Sequence, residues 1–153
     1  MNEDFMRAKH TLENTDSTFA LCRNSELVSS RERGIRPLLE LADSGKDYSG
    51  YCAADKVVGK AAAFMYVVLG VKQVYAAVMS RAAAKTLEAN GVEYFADKLV
   101  DAVKNRDGTG VCPMEQCVAE IDDADKAVCA LRKRISELQQ QSRANIINKI
   151  AKK

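Results

Sequence analysis

Residues suited to chemistry are concentrated in one short segment, 106–117, which reads RDGTGVCPMEQC. Its two glycines permit backbone geometries with positive φ, which other residues reach only at a cost. Pro113 suits the first turn of a helix, because its missing N–H would have no partner there. The segment therefore predicts a bent loop that delivers Cys112 and Glu115 to the positive end of a helix.

Cys112 is the strongest candidate for a nucleophile. A helix N-terminus favours anions and thiolates, and a nearby cation such as Arg106 or Lys56 would favour the thiolate further. The alternative is that Cys112 is a small buried hydrophobe, which is the usual role of a free cysteine. Glu115 is a candidate catalytic carboxylate, although the helix dipole favours an acid near a helix start whatever its function.

Asp55, Lys56 and Lys60 form a second cluster, at the start of a helix predicted over residues 56–69. Asp55 is either a carboxylate base or the N-cap of that helix. Lys56 would oppose the helix dipole, which suggests that an anion, either a ligand or Glu115, lies opposite it. Lys60 falls one turn later on the same face and either adds to an anion site or extends into water.

Further candidates for ligand binding surround these clusters. Arginine binds phosphate or carboxylate through paired hydrogen bonds. The glycine loop loosely resembles a phosphate cradle, although its pattern is neither a Walker A motif nor a dinucleotide fingerprint. The residues predicted on this basis are Arg36, Arg106, Gly108, Thr109 and Gly110.

The composition restricts the class of protein. A chain of 153 residues, of which 47% are hydrophobic and 29% charged, predicts one globular domain. The net charge of +2 gives no bulk attraction for nucleic acid. Five cysteines without a signal peptide predict reduced thiols, and the longest apolar run, 61–71, is too short to span a membrane. We therefore expect a cytoplasmic protein that neither crosses a membrane nor binds nucleic acid.

Strand patterns alternate with helical ones along most of the chain. Residues 18–22 and 26–29 predict a hairpin around Asn24, and the turn from Gly34 to Pro37 leads into a helix. The elements predicted next are strands at 48–54, 71–79 and 92–95, helices at 56–69 and 81–89, the second capped by Ser80, and a helical turn within 97–105. This order predicts an α/β fold with a mostly parallel mixed sheet, helices on both faces and the hairpin as an antiparallel edge.

The final third of the chain has a different pattern. Apolar residues at alternating steps of three and four form a heptad seam from Met114 to Leu138, which predicts a long helix. That helix lies either along its own domain or against another subunit. Ile146, Ile147 and Ile150 continue the apolar pattern in a shifted frame, among basic residues.

Three motifs in order resemble the domain-of-unknown-function 1893 family: GIRPLL at 34–39, DKVVGKAA at 55–62 and GTGVCPME at 108–115. The resemblance covers about residues 18–120. It implies a cytidine-deaminase-like α/β fold with three α/β/α layers, and it brings no established reaction. The expected organisation is a loosely ordered lead-in at 1–16, the deaminase-like domain at 17–120 and a C-terminal helical extension at 121–153.

The implied fold raises the question of zinc. Zinc deaminases place His/Cys-x-Glu and Pro-Cys-x-x-Cys at the starts of two helices. Here DKV at 55–57 stands where the first motif would lie and contains no such ligand. At the place of the second motif, Cys112 comes before the proline and is five residues from Cys117, so the spacing does not match Cys-x-x-Cys. Cys52, Cys112 and Cys117 would still lack a fourth ligand if they met. We expect neither a metal nor another cofactor.

Two functional hypotheses from different classes follow. In the first, an anionic or nucleotide-like small molecule binds between Asp55, Lys56 and Lys60 on one side and residues 108–115 on the other, with Cys112 as a nucleophile. In the second, the chain is a non-catalytic regulatory or scaffold domain that forms a homo-oligomer through its C-terminal helix. Nucleic-acid binding by the basic C-terminal tail ranks last, because no aromatic residue is interleaved for base stacking.

Overall fold

The computed structural model describes residues 2–103 and 112–151. Within these ranges the elements follow one another as α1 (Glu3–Asn14), β1 (Phe19–Arg23), β2 (Glu26–Ser30), α2 (Arg36–Asp43), β3 (Cys52–Val58), α3 (Lys60–Leu69), β4 (Gln73–Ser80), α4 (Arg81–Ala89), β5 (Glu93–Val100), α5 (Pro113–Val118) and α6 (Ala124–Ala151). The predicted α/β class and the long C-terminal helix are both confirmed.

The five strands form one mixed sheet in the order β2-β1-β3-β4-β5. The hairpin β1–β2 is antiparallel and turns at Asn24, whose φ of 54° lies in the left-handed region that asparagine tolerates better than most residues. Strand β1 also pairs antiparallel with β3, whereas β3, β4 and β5 are parallel to one another. The predicted hairpin edge is therefore confirmed, and parallel pairing is confined to the other half of the sheet.

Helices cover both faces of the sheet. Helix α1 packs against β1, β3 and β4 on one face, and α3 and α4 pack on the other. Strand β3 serves both layers, since Ala53 lies in the larger core with α3 while Cys52 and Ala54 lie in the smaller core under α1. Because the strand is buried on both faces, its sequence reads as an apolar run rather than an alternation.

The expected loosely ordered lead-in is wrong, because residues 3–14 form helix α1. Asn2 caps it by accepting a 2.7 Å hydrogen bond from the Phe5 N–H. Phe5, Ala8 and Leu12 are buried against the sheet. These three residues have the spacing of one apolar helix face. The face is narrow and its neighbours in the sequence are polar, so the segment reads as a polar one without periodicity.

Two boundaries differ from the prediction in ways that matter for the site. Strand β3 continues to Val58 and α3 starts only at Lys60, so Asp55 and Lys56 belong to a strand and neither lies at a helix start. Strand β5 runs to Val100, where a helical turn was expected. By contrast, Ser80 caps α4 as predicted, accepting a hydrogen bond from the Ala83 N–H at 3.1 Å.

The heptad seam does not form one helix. It is divided between α5 and α6, and its residues pack on their own domain: Met114, Val128 and Leu131 are buried in the larger core, and Ile135 and Leu138 are half-buried against it. The apolar side chains of the seam therefore have packing partners within the described part of their own chain, and an oligomer interface through this helix stays a prediction. No helix in the described part of the chain is long and apolar enough to cross a membrane.

Candidate functional site

A cleft of about 580 Å³ opens where β3 ends, between the β2–α2 connection and the start of α5. We call it the Asp55 cleft. Its lining includes Asp55, Lys56 and Gly59 from the end of β3, residues 31–35 from the connection, and Cys112, Met114 and Glu115 around the start of α5. Ligands of open α/β sheets usually bind at such a place, beyond the carboxyl ends of the parallel strands.

Asp55 forms the buried floor of this cleft. Its side chain is only 9% exposed and accepts hydrogen bonds from the Tyr66 hydroxyl at 2.6 Å and from the Val57 N–H at 3.2 Å. Burial raises the pKa of Asp55 to about 6, and hydrogen bonds from the Tyr66 hydroxyl and from the backbone of Val57 and Lys56 oppose that rise. The same burial, together with the carboxylate, raises the pKa of Tyr66 well above its usual value. The predicted N-cap role of Asp55 is wrong, because the residue faces α3 from within the sheet.

Glu115 is the residue that caps α3. Its carboxylate accepts hydrogen bonds from the N–H groups of Lys60 at 2.8 Å and Ala61 at 3.1 Å. Gly59 makes this approach possible, because a Cβ at that position would lie 2.2 Å from the Glu115 Oε1. Burial raises the pKa of Glu115, and these backbone donors counteract the rise. The positive end of α3 therefore already holds an anion, and it is supplied by the chain itself.

The two lysines of the predicted cluster are separated. The Lys60 ammonium donates to the Ala119 carbonyl at 2.9 Å, which fastens the end of α5 to the start of α3. Lys56 lies on β3 and is exposed at the cleft. The two are not one helical turn apart on a shared face, so the expected pair is wrong, and of the two only Lys56 lines the cleft.

Two cations of the cleft were missed by the sequence reasoning. Arg31 and Arg33 lie on the connection between β2 and α2 and line the same cleft as Lys56. Among the described residues none of these three side chains forms an ion pair with an acid. The sequence offered one indication, the run Arg31-Glu32-Arg33-Gly34. Its two arginines are two residues apart, and they point to the same side only if the connection is extended.

Cys112 lies in the wall of the cleft, half-buried immediately before α5. Cys117 is half-buried against the larger core, and burial raises the pKa of its thiol. Cys52 lies in the smaller core under α1, on the other face of the sheet, so the three cysteines considered for zinc do not meet. No group of three or more histidine, cysteine or acidic side chains within residues 2–103 and 112–151 is arranged to hold a metal ion.

The remaining predicted site residues do not contribute to this geometry. Arg36 begins α2 outside the cleft, and its 65% exposed side chain pairs with Glu40 at 3.3 Å. The other predicted ligand-binding residues lie outside the described residues: Arg106, Gly108, Thr109 and Gly110.

Comparison with known proteins finds a matching family model and similar solved structures. The family model described as TM1506, a domain of unknown function (DUF1893), matches residues 7–135. The crystal structure of a DUF1893 family protein (TM1506) from Thermotoga maritima is similar with a TM-score of 0.77 and 26% sequence identity, over 90% of this chain and 92% of that chain. No curated protein matches. These matches confirm the resemblance drawn from the three motifs, while its cytidine-deaminase-like character remains a prediction.

The capping role of Glu115 predicts that Glu115→Ala destabilises the fold. The variant leaves the N–H groups of Lys60 and Ala61 without their charged acceptor, so the free energy of unfolding should fall by about 2 kcal/mol. Denaturant unfolding measures this loss. Glu120→Ala is the matched control, since Glu120 is exposed just beyond α5 and its removal should change little. Equal stability of the two variants would contradict the cap.

Asp55 predicts a pH-dependent stability. Its folded-state pKa of about 6 lies above its ordinary value of 3.8, so the folded state favours the protonated carboxyl. The stabilisation is complete below the ordinary value and is lost as the pH rises through 6. Between about pH 4 and about pH 7, wild type should lose up to about 3 kcal/mol more than Asp55→Asn. The pKa of Glu115 is also raised, but Glu115 is present in both proteins and therefore does not contribute to the difference between them. Parallel pH profiles of the two proteins would show that Asp55 ionises normally.

Proposed function

The chain belongs to the domain-of-unknown-function 1893 family, and we propose that its Asp55 cleft binds a small anionic molecule. The observation that carries the proposal is the set of three cations, Arg31, Arg33 and Lys56, around one cleft, none of them paired with an acid among the described residues. Guanidinium and ammonium groups bind phosphate and carboxylate groups strongly when they converge from different segments.

The size and lining of the cleft agree with this function. Its volume of about 580 Å³ lies within the range of small-molecule sites, about 300–1,000 Å³. Apolar side chains such as Ile35, Leu38 and Met114 line it beside the charges. A ligand with one anionic end and one less polar end would use both parts of this surface, and a nucleotide is one molecule of that kind.

Asp55 gives the cleft a second point of recognition. Its carboxylate accepts hydrogen bonds from the Tyr66 hydroxyl and from the backbone of Val57 and Lys56, and two carboxylate oxygens together can accept about four. A ligand N–H or O–H that reaches the floor would therefore find an acceptor there, while the anionic group stays with Arg31 and Arg33 at the entrance. This division of roles favours ligands that carry donors at the end opposite the anion.

Cys112 is the group in the cleft wall that could react with such a ligand. It is half-buried at the start of α5, within the same lining as Lys56. Glu115 has a weaker claim to chemistry than the sequence suggested, since its two oxygens are engaged by α3. We therefore assign Cys112 the role of nucleophile in any covalent step and Glu115 the role of holding the cleft wall.

Anion binding is tested by titrating the full chain with inorganic phosphate and a panel of nucleoside monophosphates, followed by NMR. Arg33→Ala and Lys56→Ala should each weaken binding by about tenfold, because each removes one charged contact. Arg36→Ala is the matched control and should bind as wild type does, since Arg36 pairs with Glu40 outside the cleft. Unchanged binding in the double variant Arg33→Ala/Lys56→Ala, or loss of binding in Arg36→Ala, would overturn the proposal.

The position of Cys112 predicts that ligands protect it from alkylation. Iodoacetamide labelling is followed by peptide mass spectrometry, with and without the nucleoside monophosphate that binds most tightly in the titration. Occupancy of the cleft should slow labelling of Cys112 by about tenfold at tenfold excess over the dissociation constant. Cys129 is exposed on α6 and supplies the internal control. Equal rates at Cys112 with and without the compound would remove this thiol from the binding site.

A further inference from the structure

The edge of the sheet at β5 is a surface that the cleft does not use. Strand β5 is eight residues long and pairs in parallel with β4 on one side. No strand pairs with its other side within the described residues. An open edge of this length presents a row of backbone donors and acceptors, and these can pair with a further strand.

The side chains of β5 divide between the two faces of the sheet. Phe95 and Asp97 face the side of α1, where the Phe95 ring lies 5.2 Å from that of Phe5 and Asp97 accepts a hydrogen bond from the Tyr75 hydroxyl. Leu99 is four residues after Phe95, so its side chain faces the same side of the sheet. Phe95 and Leu99 are 41% and 40% exposed, respectively, so α1 leaves part of this apolar face uncovered.

We propose that two copies of this chain associate by antiparallel pairing of their β5 strands around a two-fold axis at Asp97. The assembly would be a continuous ten-stranded sheet. In an isologous pairing of this kind, residue i lies opposite residue j and residue j opposite residue i. An axis at position 97 places Phe95 opposite Leu99 of the second copy on one face, and Tyr94 opposite Val100 on the other.

The apolar pattern of β5 is symmetric about this one position, which is why a second copy is the favoured partner. A two-fold axis perpendicular to the sheet must pass through a residue position, so any other register moves the axis by a whole number of residues along β5. An axis at position 96 sets Phe95 opposite Asp97, and an axis at position 98 sets Leu99 opposite Asp97. Both alternatives pair a large apolar side chain with a charge, whereas the axis at Asp97 pairs Phe95 with Leu99 and Tyr94 with Val100 and leaves only the small Ala96 opposite the charged Lys98.

The proposed register sets like charges opposite each other at Asp97 and also at Glu93, which meets Asp101 just beyond the strand of the second copy. Asp97 would lie opposite its own copy, and like charges directly opposite each other destabilise a strand pair by a few tenths of a kcal/mol to about 1 kcal/mol. The ammonium group of Lys9 lies on the same side of the sheet, 5.0 Å from the centre of the Tyr75 ring. Each copy thus carries one positive charge on this face, close to the tyrosine that donates to Asp97.

The end of α6 is a weaker candidate for self-association. Ile146, Ile147 and Ile150 are 57%, 64% and 68% exposed, respectively. However, the sequence after position 138 contains basic residues and no acidic one. Two copies of this segment would bring like charges together, and the chain offers no acid there to pair with them.

The first test of the proposal is sedimentation equilibrium of the full chain over a range of concentrations. Wild type should form a concentration-dependent dimer. Leu99→Lys should raise the dissociation constant by about tenfold, since it sets a charge opposite Phe95. Ile147→Lys is the matched control on α6 and should leave the dimer unchanged. A monomer at every concentration would overturn the proposal, and so would a dimer lost in Ile147→Lys but retained in Leu99→Lys.

The register is tested independently by oxidative cross-linking. Asp97→Cys should form a covalent dimer on a non-reducing gel, because the two thiols would face each other at the axis. Lys98→Cys should cross-link much less, since position 98 lies opposite Ala96 on the other face. The wild-type chain, oxidised in parallel, accounts for its native cysteines. Stronger cross-linking at position 98 than at 97 would refute the register, and circular dichroism of each variant checks that it is folded.

Discussion

The carboxylate of Glu115 at the start of α3 is the contact on which the geometry of the cleft depends. It brings a residue from late in the chain to the N–H groups of Lys60 and Ala61, 55 and 54 positions earlier. A charge-assisted bond to a helix N-terminus is among the stronger polar contacts of a protein. Because Lys60 also binds the end of α5, both ends of that short helix are fixed against α3.

This connection explains why the wall and the floor of the Asp55 cleft stay together. The floor belongs to β3, and the wall belongs to α5, which follows the sheet in sequence. Gly59 is the point where they meet, since the space that a side chain would fill is taken by Glu115. A substitution at Gly59 would therefore change the wall of the cleft without touching any of the residues proposed to contact a ligand.

The charges of the cleft are arranged in two layers. Asp55 is buried and Glu115 half-buried, and both accept hydrogen bonds from the chain, while the exposed part of the lining carries Arg31, Arg33 and Lys56 together with the acidic residues Asp16 and Glu32. The edge of β5 is two strands away from β3 in the sheet order.

The sequence by itself determined the features that depend on local chemistry. The hairpin at Asn24, the cap at Ser80, Pro113 at the start of a helix and the α/β class all follow from residue preferences and apolar periodicity. The predicted strand and helix order placed Asp55 and Cys112 near one site, because both follow the carboxyl ends of strands. Only the tertiary structure decided that Asp55 lies in a strand, that Glu115 caps a distant helix and that Arg31 and Arg33 join Lys56. These contacts link residues far apart in the chain, and no local preference encodes them. The sequence also left two possible packing partners for the heptad seam, because an apolar stripe can be buried equally well against its own domain or against another molecule.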